Sequence, residues 1–396
     1  MLKKTALYIH IPFCVSKCRY CDFFSQTTIS DELINHYIKA LCKEINYRKK
    51  IHQIISLKTV YIGGGTPSLL SSSHIKKIFD CLKENFPFSS DMEITIEANP
   101  DDINEKLLDS YCENGINRLS CGIQSMNDKA LQFACRRASV GGNRRLLELL
   151  NKNWKKNLSL DLICGLPLES QESFISGLQE IISYKPDHIS MYSLTIEEGT
   201  PFGKLLESGK LEYDFEFADE LWLTGKTLLE NNDYKQYEVS NFAKKDKESQ
   251  HNLFYWNHKD YIGCGSGATG SVYDDNGIGY RWTNTRDINS YIKFWNNLED
   301  CDEVIKNEAL PQTSEVISLE NSIFEFFMMG LRKVEGVKKS EFENCFHQRI
   351  PEKILQNFEE WERKGLCEIT KSPHGVIYSM GDKGLLFLNR FLEEII

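Results

Sequence analysis

The sequence contains no hydrophobic run long enough to span a bilayer, and the stretch from Met1 to His10 is too short an apolar segment for a secretory signal. A cytoplasmic protein without a transmembrane segment is expected. Positive charge is also in deficit: 47 lysines and arginines face 57 acids, for a formal net charge of −10. Such a surface repels polyphosphate backbones, so nucleic acid is not an expected partner. Zinc-type cysteine pairing is missing as well, because no second Cys pair with tetrahedral-site spacing accompanies the one compact trio at Cys14, Cys18 and Cys21.

What is present reads as a packed globule, with 41% hydrophobic and 26% charged residues, far from the signature of disorder. A chain of 396 residues exceeds the usual size of one core and suggests a large domain followed by a smaller one. Thirteen cysteines without a secretory signal should be reduced. Cys81, Cys112, Cys121 and Cys164 stand singly among apolar residues and read as core positions.

From Ala6 to Leu194 short β-rich runs alternate with helical patterns. Strands are predicted at 6–11, 58–62, 93–97, 118–122, 158–163 and 188–194. Between the first two, Ser30 is placed to cap a helix whose apolar residues Leu33, Ile34, Tyr37, Ile38, Leu41 and Ile45 share a face. Ile75 to Phe86 and Phe174 to Ile182 carry similar stripes, the latter after the cap candidate Ser170. Six strand–helix units give a mainly parallel sheet, as an incomplete barrel or an open doubly wound sheet. Either architecture gathers function at the carboxyl ends of the strands. The cysteine trio follows strand one, Gly63-Gly64-Gly65 follows strand two, and Glu97 closes strand three.

After Leu194 the alternation fades into a mixed region for which the sequence predicts no fold. The polar segment 307–315 suits a linker. Beyond it, helices at 318–331, 339–346 and 353–364, strands at 366–369 and 376–380, and a last helix follow the order of a winged helix. Glu359, Glu360 and Glu362 on the third helix argue against a DNA groove reader. The domains predicted are a core at 1–235, a mixed extension at 236–306 and a small C-terminal α+β domain at 316–396.

Cys14-Val15-Ser16-Lys17-Cys18-Arg19-Tyr20-Cys21 sets three thiols in a short loop that can curl around a cubane iron–sulfur cluster and leave its fourth iron open. Gly63-Gly64-Gly65-Thr66-Pro67 lets backbone approach a ligand and is no Walker loop, since no Gly-Lys-Ser/Thr follows. Glu97 and Gln124 end two further strands with polar groups. Gly263-Cys264-Gly265-Ser266-Gly267-Ala268 mimics a dinucleotide fingerprint, but the strand character of residues 271–273 after it opens no helix, so it reads as a packing loop.

The Cys-x3-Cys-x2-Cys loop, with Tyr20 before its last thiol, resembles the radical S-adenosylmethionine superfamily signature. This resemblance implies a 4Fe-4S cluster on Cys14, Cys18 and Cys21, S-adenosylmethionine chelated at the open iron, reductive formation of an adenosyl radical, and a partial (β/α)6 barrel. Within the superfamily, the chain is similar to the anaerobic coproporphyrinogen oxidase-like family. In that family the residues matching Tyr8, Gly64, Gly65, Thr66, Glu97, Gln124, Arg136 and Asp161 line S-adenosylmethionine sites. Ala138 stands where a histidine is frequent.

Two features favour the haem-chaperone branch over the oxidases. Cys21-Asp22-Phe23 lacks the oxidases' further cysteine, and His251-Asn252-Leu253-Phe254-Tyr255-Trp256 resembles the chaperones' His-Asn-x-x-Tyr-Trp element, in which the histidine is implicated in haem binding. Neutral imidazole is a common iron ligand, and the aromatics offer flat faces to a porphyrin. The resemblance implies haem as cargo, with His251 as its ligand, and acceptor haemoproteins as partners, membrane-bound ones approached transiently. The rival expectation is an oxygen-independent coproporphyrinogen III oxidase, an oxidoreductase of the coproporphyrinogen dehydrogenase type.

Overall fold

The computed structural model describes residues 3–298, 310–373 and 375–396. Its first half contains β1 (Lys3–Ile11), α1 (Asp31–Ile51), β2 (Ile54–Gly64), α2 (Ser72–Asn85), β3 (Glu93–Ala98), α3 (Glu105–Asn114) and β4 (Arg118–Gln124). Next come α4 (Asp128–Phe133), α5 (Val140–Asn153), β5 (Asn157–Cys164), α6 (Gln171–Ser183) and β6 (His188–Ser193). The six strands lie side by side in chain order and all run parallel. Helices cover one face, so apolar residues such as Leu7, Val60, Ile94, Leu119 and Leu160 bury there.

Local chemistry sets the helix ends. Ser30 accepts a hydrogen bond from the Leu33 amide at 3.1 Å, Asp31 and Glu32 occupy the first turn of α1, and Arg48, Lys49 and Lys50 the last, complementing the helix dipole. Ser170 caps α6 through the Ser173 amide. Of the cysteines expected in the core, Cys81, Cys121 and Cys164 are buried, but Cys112 is exposed. It lies on the solvent side of α3, whose buried stripe runs through Leu107, Leu108 and Tyr111.

The mixed region extends the same sheet. It comprises α7 (Pro201–Glu207), α8 (Phe215–Glu230), β7 (Lys235–Glu238), β8 (Asn241–Ala243), α9 (Gln250–Trp256), β9 (Tyr261–Cys264), β10 (Thr269–Tyr273), β11 (Gly279–Asn284), α10 (Ile288–Asn297) and β12 (Gln312–Ile317). β9 pairs parallel with the free side of β1, and β10, β11 and β12 follow antiparallel, while β8 and β7 extend the β6 edge, giving twelve strands. The glycine run therefore begins as the end of β9. A Cβ on Gly263 would lie 2.0 Å from the Thr269 carbonyl oxygen, so the close β9–β10 approach requires glycine. The polar segment expected as a linker ends in β12, at the sheet edge; residues 307–309 of that expectation lie outside the described residues.

A buried carboxylate ties this extension to the first helix. Glu44 on α1 accepts hydrogen bonds from the Gly265 amide at 2.8 Å, Asn284 Nδ2 at 2.7 Å and Tyr291 Oη at 2.6 Å. Its neighbour Arg48 donates to Glu44 at 3.1 Å, Asn284 Oδ1 at 3.1 Å and Gln312 Oε1 at 2.6 Å.

The C-terminal elements are α11 (Leu319–Gly330), β13 (Val337–Lys338), α12 (Lys339–Phe346), α13 (Glu352–Arg363), β14 (Cys367–Ser372), β15 (Gly375–Met380), α14 (Asp382–Leu386) and α15 (Leu388–Ile395). The strands form a small antiparallel sheet in the order β13-β15-β14 over a core of Phe327, Phe342, Phe358, Trp361 and Phe391. The single last helix expected here is two short ones. Backbone bonds from Val239 N to Arg332 O and from Val334 N to Tyr237 O, both 3.0 Å, join these elements to β7 and the turn after it. Among the described residues, no helix is long and apolar enough to cross a membrane.

Replacing Glu44 by alanine strips Arg48 of its buried counter-charge and unbinds three donors. The E44A chain should lose about 3–5 kcal/mol in denaturant unfolding, with E44Q losing less because it keeps an acceptor oxygen.

Candidate active site

Two polar rows follow from strand alternation. Thr59 and Tyr61 on β2, Glu93, Thr95 and Glu97 on β3, Arg118 and Ser120 on β4, Ser159 and Asp161 on β5, and His188 and Ser190 on β6 occupy every second position, so they project from the sheet face opposite the helices. At the carboxyl ends this face opens into a cavity of ≈ 570 Å³.

The loop carrying the thiols is fixed at several points. Cys14 N donates to Gln26 O at 3.0 Å and Gln26 N to Pro12 O at 2.7 Å, closing its base. Arg19 N bonds Ala134 O at 3.1 Å, Arg19 Nη1 bonds Phe133 O at 3.1 Å, and Phe202 N bonds Arg19 O at 3.0 Å. The glycine turn supports the loop from beneath: Gly65 N donates to Ile11 O at 2.8 Å, and a Cβ on Gly65 would meet Phe13 O at 2.7 Å. Gly64 has φ +111°, and a Cβ there would lie 2.5 Å from the His10 ring.

Of the residues singled out from the sequence, ten line the cavity: Cys14, Cys18, Cys21, Gly64, Gly65, Thr66, Glu97, Gln124, Arg136 and Asp161. Tyr8 does not. Its hydroxyl bonds His10 Nδ1 at 2.9 Å and its ring stacks at 6.2 Å on Tyr61, which does line the cavity. Thr66 Oγ1 donates to Cys14 Sγ at 3.3 Å, and Arg136 Nη1 lies 3.7 Å from Cys18 Sγ. Arg136 Nη2 donates to Gly122 O at 2.6 Å, while its buried Nε has no protein partner. Gln124 adopts φ +65°, turning its chain away from the strand.

Two carboxyls stand across this floor. Glu97 accepts from Tyr61 Oη at 2.8 Å and from the Gly64 amide at 3.0 Å. Burial pushes it up to about 7, against the pull of those two donors. Asp161 accepts from three serine hydroxyls, Ser190 at 2.6 Å, Ser120 at 2.8 Å and Ser159 at 3.2 Å; burial still raises it, the serines offsetting part of the shift. Sequence reading missed these serines, together with Tyr61. Their signal was the every-other-residue polarity inside strands otherwise apolar enough to be buried.

His251, the residue expected to bind haem, lies apart from these ten. It does not line this cavity, is 1% exposed, and has both ring nitrogens engaged, Nδ1 with Thr59 Oγ1 and Nε2 with Tyr255 Oη, each at 2.7 Å. Its ring stacks on Tyr61 at 5.0 Å, and burial lowers it to about 3. The imidazole is thus a neutral strut behind the cavity floor, and iron would have to displace one of those hydroxyls to reach it. Glu93 accepts the Gln250 and His251 amides at 3.1 and 2.9 Å and so anchors the start of α9.

Comparison with known proteins agrees with this geometry. The Radical SAM superfamily profile matches residues 8–181, and that of the HemN C-terminal domain matches residues 317–373. Heme chaperone HemW of Escherichia coli is 32% identical over 99% of this chain and 98% of its own length. Heme chaperone HemW of Buchnera aphidicola from Schizaphis graminum is 35% identical over the same shares. This chain belongs to the HemW family of radical SAM proteins. Coproporphyrinogen III oxidase (HemN) from E. coli superimposes with a TM-score of 0.81 over 100% of this chain and 90% of that one, at 21% identity, which establishes a shared fold. The sheet of six parallel strands in chain order is accordingly the partial barrel expected, not a doubly wound sheet.

Family membership implies a 4Fe-4S cluster and S-adenosylmethionine, and the residues fit both. Cys14, Cys18 and Cys21 all line the one cavity, and a cube bonded at three of its irons takes three thiolates and leaves the fourth iron facing that cavity's ligand space. The glycine turn admits no side chain, Arg136 keeps an unpaired buried N–H, and the floor offers acceptors to a cationic ligand.

Because Glu97 is raised in the folded state, its contribution to stability is complete below its unfolded value and is lost as pH rises through about 7. Thermal unfolding of the metal-free, reduced chain should therefore show wild type falling relative to E97Q between roughly pH 4.5 and 7. A difference independent of pH would contradict the assignment.

Proposed function

We propose that this chain is a cytoplasmic haem chaperone that holds a 4Fe-4S cluster on Cys14, Cys18 and Cys21, binds S-adenosylmethionine in the adjoining cavity, and delivers haem to acceptor haemoproteins. The observation that carries the reading is the union of three thiols with a cavity of acceptors and glycine backbone, in a chain similar over its full length to proteins named heme chaperones. A cluster with one open iron supplies one-electron chemistry to a chelated S-adenosylmethionine.

The chain's own residues do the rest. Arg136 sets a positive charge beside Cys18, where it favours an anionic cluster, and orients itself on Gly122 O. Gly64 and Gly65, held without side chains against His10 and Phe13, bring backbone to the cavity wall, and Thr66 donates toward Cys14. Glu97, Gln124 and Asp161 present carboxyl and amide oxygens to the amino and hydroxyl groups of the cofactor. Tyr8 supports Tyr61 from behind, and Tyr61 holds Glu97 in place.

The test is anaerobic reconstitution with iron, sulfide and hemin. Wild type should show cubane absorption that each of Cys14→Ala, Cys18→Ala and Cys21→Ala abolishes, and should pass bound haem to an apo-haemoprotein. Conversion of coproporphyrinogen III to protoporphyrinogen IX would instead establish the oxidase.

A further inference from the structure

One strained turn in the cavity wall is held by a residue that does not line the cavity. β4 breaks its ladder to β5 between Gly122 and Gln124, and Gln124 stands at φ +65°, the left-handed region that a residue with a side chain enters only when its surroundings compel it. The Ser125 amide closes the turn by donating back to Ile123 O at 2.9 Å. The Gln124 side chain lies over Gly122, where an added Cβ would lie 2.7 Å from Gln124 Nε2 and 3.4 Å from Arg136 Nη2. Turn and glycine together set the carboxamide in the cavity wall, on the same side of the strand as the Arg136 guanidinium.

What compels the turn comes from α5. Asn143, in the first turn of that helix, is fully buried, and its Nδ2 donates to Ser125 O at 3.0 Å and to Ile123 O at 3.3 Å, the carbonyls on either side of Gln124. Because both neighbours are acceptors, only the NH2 group can face them. Asn143 Oδ1 is buried without a partner, so the whole hydrogen-bonding capacity this amide uses goes to the turn. The platform is firm: Ser139 caps α5 through the Gly142 amide at 3.1 Å, and the Val140 amide donates to Asp128 Oδ1 at 2.8 Å. The Ser125 hydroxyl has a separate tether, donating to the buried Glu169 carboxyl, but that bond fixes the residue after Gln124 and does not reach the two flanking carbonyls.

We infer that Asn143 is a positioning residue for S-adenosylmethionine: by bridging Ile123 O and Ser125 O it locks the turn that aims Gln124 into the cofactor cavity. The inference rests on the cofactor reading of that cavity, in which Gln124 presents its amide to the ligand. Asn143 lies outside the lining, so its effect on the ligand passes through Gln124. With glycine at position 124 the left-handed backbone is unstrained and no carboxamide is left to aim, and the clamp then has nothing to contribute to binding.

The test is S-adenosylmethionine titration of the full-length, cluster-reconstituted and reduced chain, read from the change in the cluster's electron paramagnetic resonance spectrum. N143L, similar in volume but without a donor, should weaken binding roughly tenfold, the scale of one lost hydrogen bond. N143D, which when protonated offers one O–H in place of two N–H, should fall between N143L and wild type. In a Q124G background N143L should weaken binding less than about twofold further, because the two residues act as one unit. Unaltered cluster absorption checks folding, and should N143L fail to assemble, N143D with and without Q124G carries the same comparison. Equal weakening in both backgrounds, or unchanged affinity in the position 143 variants, overturns the clamp and leaves the cofactor reading standing. A wild-type spectrum indifferent to S-adenosylmethionine overturns both.

Discussion

The site depends first on the contact between the turn after β2 and the loop after β1. Gly65 lies so near Ile11 and Phe13 that no side chain fits, and Gly64 needs a left-handed backbone against the His10 ring. Because β1 and β2 run parallel and in register from Ala6 to Ile11, their two ends emerge side by side. The thiol loop thus rests on a floor of backbone, and everything chemical in the molecule is arranged around that floor. Any Cβ added here would push the loop off its seat before it touched a ligand.

The barrel interior is unusual in what it buries. Most parallel sheets are apolar on both faces, yet here the inner face carries Glu93, Glu97, Arg118, Asp161 and His188 at alternate positions. Each is paid for by partners across the strands: Arg118 lies 3.9 Å from Glu93, His188 joins Ser159 at 2.8 Å and Tyr237 at 2.9 Å, and Asp161 gathers its three serines. This network runs from the cofactor cavity to Ser249, the cap of α9, whose amide bonds Tyr237 Oη at 3.2 Å. Burial in such a network holds the interior histidines neutral.

Much of this was legible in the sequence because its cause is local. Ser30 and Ser170 announce helices through caps, and the strands announce themselves by composition. The cysteine loop and the glycine turn declare their chemistry in a few adjacent residues. What stayed hidden depends on distant partners. β9 is four residues long and becomes a strand only because the open edge of β1 is there to receive it. Glu44 looks like one more helix acid until Gly265, Asn284 and Tyr291 converge on it from more than two hundred residues away. The hexapeptide around His251 likewise says nothing of the bond its ring makes to Thr59.

The shortness of α9 has a consequence for how this segment tolerates change. Its seven residues, about 10 Å of helix, carry His251 in the first turn and Trp256 at the end. Inserting or deleting one amino acid between His251 and Trp256 would rotate the indole by about 100° relative to the imidazole, so that one end or the other would face the wrong way. The distance between those two rings is therefore a fixed gauge, and lineages free to drift elsewhere in the mixed region should keep the spacing of this segment unaltered.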